Sequence, residues 1–487
     1  MKKTITRQRL LILFLASSIF LQSQNSDTVK VRNKVLFDIT TFDFPHALYS
    51  SNLQQTSIAN LNKPSGNYNF LSSYKIPSME QSTQVDVNTR QLIFLGTHKL
   101  LNRKPTEWIY KKVKRYASEL TLNLLADALL PFGMGWQHEE FHRATMTRCH
   151  CYSNNSLNNW ITGKNSANYS TLKSVDQVLD TNLVLIKLKS NADLVRISAA
   201  GNEGNIFSAE TMQRYDFVSE NRLVTIPYYL IRFLTVSGYL DLCSRKDQAT
   251  NTTLEVMELE KDNQSIRDFT GLDMTAWAYD LFNPNEPYSA RGLNVYGNGY
   301  DRYIYGDKLT DEQYDWIKKQ TVLSYINLIS PLNYGFKSIS LGKINEKKIK
   351  GNFAFRYYPT SFGNQLGLSI YLKYSKYNIV LSPSLNQNFK HSFPALAMEL
   401  IDYPLLKHIN ASINASAWLQ PKNQEFYSDR GQFGGLINLR LDYAVSKKCA
   451  TYIAFSCKSN GWVAGNPFLN SNTGIKFGFR FSFNHKY

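Results

Sequence analysis

The sequence predicts an α+β multidomain chain: a mostly α-helical domain followed by a C-terminal antiparallel β-barrel of about 8–10 strands. Three observations predict it. Apolar residues recur at helical spacing through much of 107–335 and alternate strictly from 336 onward. Charge divides at the same place. Residues 336–487 hold 19 Lys and Arg against 6 Asp and Glu, whereas 25–335 hold 32 of each. Finally, the chain opens on a basic and then apolar leader.

The leader is residues 1–24. Lys2, Lys3, Arg7 and Arg9 precede an apolar run, Leu10 to Leu21, and a polar patch, Gln22-Ser23-Gln24. This is the layout of a secretory signal peptide, and the run is too short to span a bilayer. The first cysteine is Cys149, so a lipid-anchored start is not expected. Five scattered cysteines do not make a disulfide scaffold, although Cys449 and Cys457 are close enough in sequence to pair. Residues 25–106 are polar and rich in Asn and Ser, which reads as an extended lead-in holding a strand or two.

Residues 107–335 read as helical. Candidate helices are Trp108–Leu130, Met134–Thr147, Asp180–Gln213, Leu223–Leu240, Thr270–Phe282 and Asp311–Ile329. Asp127 and Arg232 interrupt the most apolar of them, so these are core helices rather than spanning ones. The boundary with the strand region is expected at Pro331–Phe336.

From 336 to 487 the period is two. Phe477, Phe479, Phe481 and Phe483 alternate with Lys476, Gly478, Arg480 and Ser482. Ile409, Ala411, Ile413 and Ala415 alternate with Asn410, Ser412, Asn414 and Ser416. A soluble sandwich also alternates. Long strands and an exported chain favour a transmembrane barrel, apolar outside and polar inside. Tyr487, closing an aromatic strand, resembles the terminal signal of bacterial outer-membrane β-barrel proteins. A barrel this narrow is filled by side chains, so it reads as an anchor, not a pore. With an even strand number, a domain preceding the barrel is expected in the periplasm.

The chemistry concentrates in one segment, His138-Glu139-Glu140-Phe141-His142. Four residues of helix turn ~400°, so the imidazoles lie ~40° apart on one face and can share a metal ion. Glu139 stands beside them, placed to take a proton from an activated water. With 8 histidines in the chain, random placement produces this H-E-x-x-H pattern only ~0.004 times.

The segment resembles the zincin metallopeptidases, and the resemblance covers this helix and at most one further element. It implies Zn2+ held by His138 and His142, with Glu139 as general base. The metzincin extension is absent, since Thr145 and Arg148 occupy the positions of its glycine and third histidine. The gluzincin-like pattern takes its third ligand from a glutamate within Asn-Glu. Here that implies Glu203 in Ala199-Ala-Gly-Asn-Glu-Gly-Asn205, with Glu210 as the other choice. Gly201 and Gly204 would let that helix come close to the first.

Other groups rank below these. Arg143 reads as an ion-pair partner, and Cys149-His150-Cys151 as a loop with poor ligand spacing. The Tyr288, Arg291, Tyr300, Arg302, Tyr303 stretch reads as a surface loop beside a possible cleft. The expected function is an outer-membrane-anchored zinc-dependent hydrolase, a metallopeptidase. The alternative is a non-enzymatic outer-membrane structural or binding protein. Expected partners are outer-membrane lipids and a protein or peptide substrate. The net +17 does not point to nucleic acid, because the excess lies in the alternating strands and the leader.

Overall fold

The structure is a computed structural model of the chain. It describes residues 33–51, 53, 76–101, 133–157, 173–220, 225–262, 266–297 and 299–485, with isolated positions between 114 and 125. The signal segment 1–24, most of Trp108–Leu130 and Tyr487 lie outside the described residues.

The strand region forms nine strands: β4 (Ile339–Ile344), β5 (Lys347–Thr360), β6 (Gly363–Tyr374), β7 (Tyr377–Gln387), β8 (Ser392–Leu406), β9 (Ile409–Pro421), β10 (Gly431–Ala444), β11 (Cys449–Lys458) and β12 (Asn472–His485). A tenth comes from the opposite end of the sequence. β1 (Asn33–Phe44) pairs antiparallel with β12, Asn33 opposite His485 and Phe44 opposite Ile475. The sheet order is β1-β12-β11-β10-β9-β8-β7-β6-β5-β4, antiparallel throughout. Residues 45–338 are therefore an insertion between two strands of one sheet, not a domain that precedes it.

The sheet is apolar on one face and polar on the other. Ile437 and Leu439 are 57% and 37% exposed, and Phe353, Met398, Phe477 and Phe479 share their face. The other face carries Arg356, Ser369, Asn414, Arg440, Lys476 and Arg480. That face is strongly concave. Arg480 on β12 pairs with Asp402 on β8, whereas a flat sheet would hold strands four places apart at about 19 Å. Arg440 on β10 likewise reaches Asp38 on β1 at 3.0 Å.

The insertion and its flanks supply α1 (His46–Ser51), α2 (Met79–Leu101), α3 (Met134–Arg148), β2 (Asn154–Leu157), β3 (Lys173–Asp176), α4 (Asp180–Lys189), α5 (Asn191–Ser219), α6 (Ile226–Cys243), α7 (Lys246–Glu260), α8 (Asp273–Phe282) and α9 (Asp311–Ser324). Expected helix Asp180–Gln213 is two helices. Ser190 is extended between them, and its hydroxyl accepts the Asp193 N–H, capping α5. Three helices were not expected. α1 and α2 replace part of the extended lead-in, and α7 buries a thin stripe of Ala249, Thr253 and Met257. No described helix is long and apolar enough to cross a membrane.

The long helix α5, 29 residues, organises the molecule. Its first half packs on α3 and α8; its second half lies against the concave face of the sheet. There Glu210 accepts the Tyr358 hydroxyl at 2.5 Å, and Tyr215 donates to Asp38 at 2.7 Å. A cavity of about 390 Å3 remains between α5 and strands β5 to β12. Cys449 and Cys457 are both free. They occupy the two ends of β11, about 26 Å apart at strand rise, which rules out the pairing.

Candidate metal centre

α3 begins after Gly133, and its buried side includes Glu139, Glu140, Phe141 and His142. The i, i+4 spacing places His138 and His142 on one face, ring centroids 4.9 Å apart. His138, Glu139 and His142 offer ligand atoms within 4.8 Å of one another, a cluster that could hold a metal ion. His142 is fully buried.

Two helices converge on this pair. From α8, Asp273 Oδ2 stands 3.1 Å from His138 Nε2 and 3.4 Å from His142 Nε2. These spacings match the ligand–ligand edge of a zinc tetrahedron, about 3.3 Å for Zn–N near 2.0–2.1 Å. From α5, Gly201 faces both imidazoles, and a Cβ there would clash with both Nε2 atoms. The missing side chain is what lets the α5 backbone come this close to the histidine pair. Gly204, one turn on, makes the same close approach to Gln137 and Phe141.

The surrounding groups orient the rings. His142 Nδ1 donates to the Ile197 carbonyl at 2.6 Å, so in the neutral ring Nε2 carries the lone pair. Among the described residues, His142 Nε2 makes no hydrogen bond. Arg232 donates to Asn205 Oδ1 at 3.0 Å, which turns the Asn205 amide nitrogen toward His138 Nδ1 at 3.2 Å. Ligation through His138 Nε2 requires that amide to turn over and accept from Nδ1–H instead. Tyr239 fixes Asp273 by accepting its backbone N–H at 2.8 Å.

Burial disfavours a charged His142, but the Asp273 carboxylate outweighs it and lifts the imidazole to about 9. Burial also works against the Asp273 anion, and His142 and His138 overcome it, holding the carboxyl well below its usual range. A cation bound here would displace the imidazole proton and keep the same carboxylate partner.

Glu203 is not part of the cluster. Its carboxylate accepts from Arg196, from the Gly465 N–H at 2.8 Å and from Trp462 Nε1 at 3.3 Å. The reason is helix phase: two residues past Gly201 is about 200° around α5, so Glu203 points away from the histidines. Glu210 faces the sheet, against Tyr358 and Arg356. The carboxylate that stands against both imidazoles is Asp273, which no local motif announces.

Arg143 grips Glu140 at 2.6 and 2.8 Å, as an ion-pair partner should. Cys149 and Cys151 are thiols whose burial pushes them up to about 12, so they are protonated and poor ligands at neutral pH. In the aromatic-basic stretch Tyr288, Arg291, Arg302 and Tyr303 are buried and Tyr300 is half-buried, while the loop between them exposes Leu293 and Val295. Arg291 pairs with Asp280 at 2.7 Å, Arg302 with Asp180 at 2.7 Å, and Tyr303 donates to Glu260.

No family model matches the chain, and no curated protein matches it.

Proposed function

We propose that this chain is an outer-membrane-anchored, zinc-dependent hydrolase of the zincin kind, a metallopeptidase. The observation that carries it is the convergence of the Asp273 carboxylate on the Nε2 atoms of His138 and His142, with Gly201 packed against the pair and Glu139 beside them. Two imidazoles and one carboxylate are a zinc donor set that leaves a fourth position for water. A bound divalent ion would supply Lewis acidity, activating water near neutral pH and polarising a carbonyl. Glu139 then takes the water proton and returns it to the leaving amine. Asp273 and Ile197 keep the imidazoles in place, and Gly201 lets α5 pack against them without a clash.

The anchor reading rests on the sheet. Its exposed face is apolar and its concave face polar, the arrangement of a membrane barrel and the reverse of a soluble sandwich. The partners would be lipids outside and a peptide at the metal. Exposed lysines around one end of the sheet suit anionic head groups.

A second reading has its own observation. The centre joins α3 and α8 and is nearly buried, with Asp273 and His142 side chains 7% and 0% exposed, as a metal that only staples helices would be. One experiment separates the two. Purified protein is assayed for bound metal and for cleavage of a mixed quenched-peptide library, wild type beside Glu139→Gln. A catalytic centre keeps its metal and loses cleavage in the variant. Metal without cleavage in the wild type leaves the staple. Protein without stoichiometric metal at neutral pH overturns both.

A further inference from the structure

The hairpins of the sheet divide into two unlike ends. At one end the connections are short: Asn345-Glu346, Ser375-Lys376, Lys407-His408 and residues 445–448. The chain enters β1 and leaves β12 at this same end. At the other end two connections are equally short, 361–362 and 388–391, but all the longest ones lie here too: 422–430, 459–471 and the whole insertion 45–338.

We infer that the helical insertion, with its candidate metal centre, faces the exterior of the cell, so that its substrate is an extracellular protein or peptide. The inference rests on the membrane-barrel reading proposed above. A barrel built from the periplasmic side keeps its short turns there and projects its longer loops outward. The insertion begins after β1 has crossed once, and it ends where β4 crosses back. One crossing separates it from the end at which the chain enters and leaves. The periplasmic placement expected from sequence assumed a domain ahead of the barrel; with β1 inside the sheet, the same parity argument puts the domain on the other side.

The packing agrees with that division. The longer connections are joined to the insertion. Phe426 packs on Phe282 and Trp316 with ring centroids 5.0 Å apart in each case, and the Gly465 N–H is held by Glu203. Domain and long loops form one body at one end. The short-turn end instead carries exposed Lys343, Lys347, Lys348, Lys376, Lys407 and Lys447. Those lysines do not choose a leaflet, since both leaflets hold anionic head groups; the crossing parity does.

The test uses the unaltered protein in whole cells. A membrane-impermeant, amine-reactive ester is applied before and after the outer membrane is permeabilised, and modified lysines are mapped by peptide mass. Lys261 and Lys318, exposed on the insertion, should be modified in intact cells. Lys376, Lys407 and Lys447 should be modified only after permeabilisation. The opposite pattern, or protection of both groups until permeabilisation, overturns the inference. A parallel alkaline wash of the membranes tests the barrel itself. Release of the chain into the soluble fraction sinks the anchor reading, an outcome distinct from a reversed labelling pattern.

Discussion

The Asp273 carboxylate lies 3.1 Å from His138 Nε2 across 135 residues of sequence. It touches the second imidazole of the motif as well. Asp273→Asn should therefore lower zinc affinity by about 100-fold or more, with little change in helix content. Titration with a competing chelator measures it. Affinity equal to wild type would remove Asp273 from the ligand set.

Glu203 separates the two ligand assignments. Glu203→Ala leaves the fully buried Arg196 without its partner and should cost about 3–5 kcal/mol. The fraction that remains folded should still bind metal one to one. Denaturant unfolding followed alongside metal content checks both halves, and loss of metal at intact fold would restore Glu203 as a ligand.

At Gly201 a single methyl group decides access. Gly201→Ala brings a Cβ into clash with both Nε2 atoms. The expected result is loss of metal binding with about 1–3 kcal/mol of destabilisation from overpacking. The same change at Gly238, where a Cβ meets nothing within 4 Å, serves as the control and should bind metal normally.

Ile437 reports on the apolar face. It is 57% exposed, and in a bilayer that exposure is to lipid. Ile437→Arg should destabilise the assembled sheet by about 2–4 kcal/mol if it lies near the midplane. Refolding into lipid vesicles measures the cost. An unchanged refolding yield and stability would mean that this face meets water.

Glu260 gives a pH signature. Burial, reinforced by Asp268, raises its carboxyl from 4.5 to about 7, against the Tyr303 hydrogen bond that favours the anion. Between those values the folded protein keeps a proton that the unfolded chain has released, so stability falls as pH rises, then levels above about 7. Glu260→Gln has no proton to lose. Relative to wild type it should gain on the order of 3 kcal/mol between pH 4.5 and 8. Parallel pH slopes in thermal unfolding would refute the assignment.

Much of this architecture was legible in the sequence because its signals are local. Period two over ten or more residues identifies β5 to β12, and one helical turn brings His138 and His142 together. What escaped depends on phase and on distant partners. The Asn-Glu pair was visible, but Gly201 takes the face of α5 that meets the histidines, and this rotates Glu203 away. Asp273 opens α8 with no motif around it. α2 buries Gln81, Ser82, Asp86 and Arg90 among Met79, Val87 and Phe94, so polar residues interrupt its apolar stripe. Val35-Leu-Phe-Asp-Ile39 could be read as strand-like, yet nothing nearby said that its neighbour would be β12.

That pairing governs how the chain can be assembled. β1 is the first of the described strands to be synthesised, and its only described strand partner is the last of them. More than 400 residues separate Phe44 from Asn472, so their contact is among the least local the chain can make, a feature that slows folding. Until β12 arrives, β1 presents an open edge, the kind of surface on which other chains add. A chain truncated before residue 472 would keep its motif helix and most of its strands and still lack that mate, which makes aggregation, rather than a smaller folded protein, the expected product.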